Sequence, residues 1–201
     1  MKFRAILFDV GSVLVQDTDT SYRDAWAERL DVSPDTLGDL VFASDVAARA
    51  AVGEASYQAV WEHVAEELGL DAETLAQLER DFWRGDQVDE TLAGFLRSLR
   101  GDYITGLLSN AWPNARQRFT EEFGLADAVD VMIISAEVGV CKPDPRIYEM
   151  ALERVGVAAE TVIFLDDLIE NVIAAKALGI CALHYQTTPR AMAAITRLLD
   201  R

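Results

Sequence analysis

The stretch VIFLDDLIENVIAAKALGICALHY, residues 162–185, decides the fold. Its two ends, Val162–Leu165 and Cys181–Tyr185, are apolar runs without strict alternation, the pattern of strands buried on both faces. Between them "LIENVIAAKALG" reads as a helix that stops at Gly179. Strand, helix and strand in so short a space make a parallel crossover unit. Three more runs, Ala5–Val10, Ile104–Leu108 and Val131–Ile134, extend the series. The segments "NARQRFTEEFG" and "DPRIYEMALERVG" supply further helices, the second with Pro145 near its start and Gly156 just past its end. The alternation predicts an α/β fold: a Rossmann-like parallel sheet with helices on both faces and right-handed crossovers.

The gap between the first two runs is far longer than one crossover needs. From Ser21 to Arg100 the pattern is helical almost throughout, and in "SYQAVWEHVAEEL" Tyr57, Val60, Trp61, Val64 and Leu68 fall on one stripe. Glu90–Leu99 is expected to be the crossover helix. The expected division is therefore an α/β core from 1–14 and 87–201, with an α-helical cap at 15–86 inserted after the first strand.

At 201 residues, 51% hydrophobic and 26% charged, the chain has the composition of a globular protein with a sizeable core. A net charge of −16 argues against a nucleic-acid partner. No apolar run is long enough to cross a bilayer, and the N-terminal run lacks a cleavage site, so neither a membrane partner nor a signal peptide is expected and the cytoplasm is the expected location. Cys141 and Cys181 form no metal or redox spacing. The sequence carries no signal for a particular oligomeric state. An acidic protein that binds a phosphorylated ligand needs a local cation to reverse its field.

The polar residues at the strand ends carry the chemistry. The first strand ends in Asp9, the second in Ser109-Asn110, and the fourth in Asp166-Asp167. Ligands of open α/β sheets bind outside the carboxyl ends of the strands, so these groups converge on one edge. The loop "SAEVGVCKPDP" after the third strand brings Lys142 to the same place. Three carboxylates in one cleft repel one another, and Lys142 alone does not balance them. Mg²⁺ suits such oxygen ligands and is often held by one or two carboxylates plus a substrate phosphate. An aspartate beside it has the chemistry to attack phosphorus, with Lys142 and Ser109 on the phosphoryl oxygens.

The four blocks "FDVGSVL", "LLSNAW", "GVCKPDPRIYEMAL" and "FLDDLIENVIAAKALG", in this order, resemble the four motifs of the haloacid dehalogenase superfamily. The likeness is strongest to small cytosolic sugar-phosphate phosphatases and to the N-terminal phosphatase domain of soluble epoxide hydrolases. The resemblance implies that Asp9 is the nucleophile, that Ser109 and Lys142 bind the transferred group, and that Asn110 contacts substrate. It makes Asp167 a direct ligand of Mg²⁺, with Asp166 acting directly or through water. Asp9 and the backbone carbonyl of Gly11 complete the metal set, and Asn171 orients the metal site or Lys142. In that family the bond before the motif's proline is often cis, which marks Lys142-Pro143.

Most phosphatases of that superfamily carry a second aspartate where this chain has Gly11. Its loss removes a general acid/base whose contribution is typically ~10²–10⁴-fold. Some sugar-phosphate phosphatases of the family share the glycine. Asp17, Asp19 and Glu54 are candidates to stand in, each read as a solvated loop acid. His63 is read as a surface residue, His184 as a core or edge residue, Arg23 and Arg49 as surface residues, Trp112 as packing under the cap and Cys141 as a small filler. The expected function is a Mg²⁺-dependent phosphatase of a small phosphorylated metabolite, a sugar phosphate or similar, through an aspartyl-phosphate on Asp9. The alternatives are a 2-haloacid dehalogenase, in which Asp9 attacks carbon, and a catalytically silent ligand-binding member.

Overall fold

The computed structural model describes residues 2–200. Its frame is a five-stranded parallel sheet: β1 (Ala5–Phe8), β4 (Ile104–Ser109), β5 (Val131–Ile134), β6 (Val162–Asp166) and β7 (Cys181–His184), in the order β5-β4-β1-β6-β7. Strand order reverses on either side of β1, so the crevice at its carboxyl end is where a ligand is expected. Alternate residues of β1 serve opposite faces. Ile6 and Phe8 join a cluster with Leu92 and Leu96 of α6 (Glu90–Leu99) and Ile195 of α11 (Thr188–Leu199). Ala5 and Leu7 join the cluster formed with Ile147 and Tyr148 of α9 (Pro145–Val155) and Val172 of α10 (Ile169–Ala177). Burial on both faces is why these strands read as continuous apolar runs.

Five helices lie between the first strand and α6: α1 (Ser21–Arg29), α2 (Pro34–Phe42), α3 (Asp45–Ala51), α4 (Tyr57–Leu68) and α5 (Ala72–Phe82). Ser33, Ser44, Ser56 and Asp71 cap the last four, each accepting a backbone N–H three residues on. Trp26, Leu37, Val41, Trp61, Leu78 and Phe82 form their separate apolar centre. Val60, Trp61 and Val64 of the expected stripe are buried.

Three details differ from expectation. The first strand stops at Phe8 and not at Val10, because the Val10 N–H turns to the Asp9 carboxylate at 2.7 Å. The expected helix at 114–123 is a single turn, α7 (Ala115–Gln117), running into a π-type turn at Arg118–Glu122. A short antiparallel ribbon, β2 (Val15–Asp17) with β3 (Asp86–Val88), stands where the chain enters and leaves the helical segment. One further short helix, α8 (Ser135–Val138), follows β5.

Candidate active site

Asp9 lies one residue beyond β1, Ser109 closes β4, and Asp166 closes β6, so three strands deliver their polar ends to one edge. Carboxylate oxygens of Asp9, Asp166 and Asp167 lie within 4.8 Å of one another. The Lys142 ammonium sits among them, 2.9 Å from Asp9 Oδ1 and 2.6 Å from Asp166 Oδ2, with its side chain only 1% exposed. An ammonium so far out of water needs both partners, and the acids need the ammonium.

The three acids are not equivalent. Asp166 is fully buried, and both of its oxygens are engaged: Asn171 Nδ2 donates to Oδ1 at 3.0 Å and Oδ2 at 3.2 Å, Leu168 N–H to Oδ1, and Lys142 to Oδ2. Asp9 receives the Val10 N–H and Lys142 on Oδ1, which leaves Oδ2 without a protein donor among the described residues. The Asp167 carboxylate likewise receives no side-chain donor among them. Burial pushes the Asp9 carboxyl up to about 6, with Lys142 opposing and Asp166 reinforcing the rise. Burial and then Asp166 also raise Asp167, while Lys142 and His184 oppose the rise.

This donor set fits a hard divalent cation: two open carboxylates, a third acid fixed beside them, and all-oxygen chemistry. Asp9 and Asp167 would hold the ion, with the Gly11 carbonyl as the remaining candidate ligand.

The loop after β5 is held from β4. The Asn110 side chain donates to the Lys142 carbonyl at 2.8 Å and accepts the Lys142 N–H at 2.7 Å. Asn110, expected as a substrate contact, fixes the Lys142 backbone and also borders the cavity described next. Asn171, expected to orient the metal site or Lys142, donates to both oxygens of Asp166, which also accepts Lys142. The Lys142-Pro143 bond is cis.

A cavity of about 400 Å³ opens beside Gly11, Ser109 and Asn110, under the helical segment. Arg23, read from sequence as a surface residue, lines it and pairs with Asp17 at 2.9 Å and Asp86 at 3.2 Å. Asp17 is thus an ion-paired strand residue on the wall, though still exposed, and not a loop acid. Asp17 and Asp86 are the acids on the lining; Asp19 and Glu54 are exposed and lie outside it. Trp112 both packs against the helices and lines the cavity. His63 is half-buried. His184 is exposed at the end of β7 with Nε2 2.8 Å from the Asp167 carbonyl oxygen, a neighbour that its pairing with Asp166 in register could have revealed. Arg118, on the π-type turn, had no sequence signal and also lines the cavity.

Residues 3–179 match the family model of haloacid dehalogenase-like hydrolases. A sesquiterpene phosphatase of Aspergillus oryzae is 28% identical over 188 residues, 90% of this chain and 89% of that protein. The fold is similar to that of a Bacteroides thetaiotaomicron enzyme solved with magnesium and inorganic phosphate, with a TM-score of 0.79 and 19% identity over 92% of this chain and 96% of that one. It is also similar to the L-2-haloacid dehalogenase of Xanthobacter autotrophicus with chloropropionic acid covalently bound, with a TM-score of 0.68 and 22% identity over 97% of this chain and 83% of that one.

Proposed function

This chain belongs to the haloacid dehalogenase-like hydrolase family, and on that premise we propose that it is a phosphomonoesterase, with Mg²⁺ as its cofactor, that hydrolyses a small phosphorylated metabolite through an aspartyl-phosphate on Asp9. The observation that carries this reading is the asymmetry of the Asp9 carboxylate: Oδ1 is held by Lys142 and the Val10 N–H, and Oδ2 is open. The phosphatase relative aligned along nine-tenths of the chain supports it.

Mg²⁺, when bound, neutralises charge on the phosphoryl oxygens and lets the carboxylates approach them. The protein's own steps follow from its side chains. Asp9 Oδ2 attacks phosphorus, an O–P bond forms, and the ester P–O bond breaks with its electron pair leaving on the alcohol oxygen. Lys142 and Ser109 hold the phosphoryl oxygens as charge shifts among them. The departing oxygen takes its proton from solvent, because both acids on the cavity lining are paired with arginine. Water then attacks phosphorus, releases inorganic phosphate and restores the Asp9 carboxylate. The helices α1–α5 act as a cap that closes this edge, with the ribbon β2/β3 as its stem.

The dehalogenase alternative shares the nucleophile and needs no proton for its leaving group. The cluster of Asp9, Asp166 and Asp167 favours phosphorus over carbon, since a metal-independent displacement has no use for so many acids. Acid quenching during turnover, followed by mass spectrometry, tests the reading. A phosphoryl adduct on the peptide containing Asp9, absent from Asp9→Asn, is the expected result; turnover without any adduct on that peptide contradicts it.

A further inference from the structure

The cavity beside Gly11 has the volume of a ligand site, and its walls are aromatic: Phe42, Tyr57, Trp83, Trp112, Phe119 and Phe123. The rings are mutually ordered. Phe42 stacks on Trp112 with centroids 5.8 Å apart and planes 29° apart, and Trp83 meets Trp112 edge-on at 6.1 Å. Phe42 nonetheless remains 51% exposed, an unusual share of bare ring for a member of a packed aromatic cluster.

The charged groups on the same walls are already matched. Arg23 is held by Asp17 and Asp86. Arg118 pairs with Asp86 at 3.4 Å and lies over the Trp83 ring at 4.5 Å. Two guanidinium groups against two carboxylates leave this part of the wall formally neutral. The Tyr57 hydroxyl accepts the Trp83 indole N–H, and the Asn110 amide holds Lys142. Beyond the reacting end, Ser12, Asn114 and the Trp112 indole N–H are the remaining polar groups of the lining. A substrate hydroxyl pressed against the ring faces of such a wall loses its water partners without replacement, and a second anion finds no unmatched cation.

We infer that the site takes phosphate monoesters whose organic group is apolar and uncharged, a hydrocarbyl or aryl-bearing chain, and disfavours polyol and carboxylated phosphates. This inference rests on the phosphomonoesterase reading and narrows its substrate. It departs from the sugar phosphate expected from sequence.

The test compares kcat/KM with Mg²⁺ for n-octyl phosphate and 2-phenylethyl phosphate against glucose 6-phosphate, glycerol 1-phosphate and 3-phosphoglycerate. All are esters of primary alcohols, so leaving groups are closely matched. Transfer of several carbons from water to an apolar wall predicts a preference of about tenfold or more for the first two. Phe42→Ala and Phe42→Gln, at a half-exposed position, should each cut that ratio several-fold. Equal or better turnover of the polar esters overturns the inference and leaves the phosphatase reading intact. A preference that both Phe42 variants retain in full also overturns it. Silence on every ester, p-nitrophenyl phosphate included, overturns the phosphatase reading and this inference with it.

Discussion

The Lys142 ammonium lies 2.9 Å from Asp9 Oδ1, although the two residues come from opposite parts of the chain and neither side chain is more than 10% exposed. That contact helps to organise the site, because with the Val10 N–H it holds one oxygen of Asp9 and leaves the other without a protein donor among the described residues. Lys142→Met should lower kcat by at least about 10²-fold, the usual cost of removing one charge-stabilising donor. Lys142→Arg should not rescue it, since the planar fork needs room that a nearly fully buried site lacks. Steady-state kinetics on p-nitrophenyl phosphate decide both.

Asn110 and Asn171 act on the site through other residues: one clamps the Lys142 backbone and the other the Asp166 carboxylate. Asn110→Ala and Asn171→Ala should each lower kcat by about 10–100-fold, as loss of supporting hydrogen bonds does at metal sites. A simple structural defect would lower the melting temperature and leave kcat per folded molecule unchanged. A measured Mg²⁺ activation constant that rises for Asn171→Ala would separate the two outcomes.

Burial raises the Asp9 carboxyl from 3.8 to about 6 in the folded protein. The folded state without metal therefore keeps a proton that the unfolded chain has released. The stability due to this group is present below pH 3.8 and is lost as pH rises through about 6. A cation among the acids favours their charged forms and opposes that loss. Adding Mg²⁺ should raise the melting temperature clearly at about pH 7.5 and hardly at all near pH 4.5, where protons compete for the same oxygens. Thermal melts with and without EDTA at the two pH values check this, and an equal shift at both would count against Asp9 as a ligand.

Much of this arrangement is legible in the sequence, for reasons that can be named. Parallel strands buried on both faces leave continuous apolar runs, and Asp9, Ser109 and Asp166 stand at the ends of three of them. The ribbon β2/β3 left no such mark. Its strands are three residues long, and Asp17 faces Asp86 across the pair, a like-charge juxtaposition that no local rule favours. Arg23, shortly after Asp17 in the chain, pairs with both acids, and Arg118 joins Asp86 from a distant part of the chain. The same dependence on geometry between remote parts of the chain hid the second contact of Asn110, its clamp on the Lys142 backbone. Arg23 looked like a surface residue because Asp86, one of its two carboxylate partners, is far from it in sequence.

Gly11 has a backbone without positive φ, and a Cβ built there meets nothing within 4 Å. An aspartate therefore fits where the resemblance expects the missing acid. Gly11→Asp should raise the rate on alkyl phosphates, whose leaving groups need a proton, by about 10²-fold, and on p-nitrophenyl phosphate much less. Equal effects on both esters would show that protonation of the leaving group is not what limits this enzyme.

The central claim is that Asp9 attacks phosphorus in a site that needs Mg²⁺. Release of inorganic phosphate from p-nitrophenyl phosphate, measured with Mg²⁺, with EDTA and with Asp9→Asn, tests it most directly. The account predicts turnover that EDTA abolishes and Asp9→Asn reduces to background. Turnover that survives in EDTA or in Asp9→Asn would contradict it.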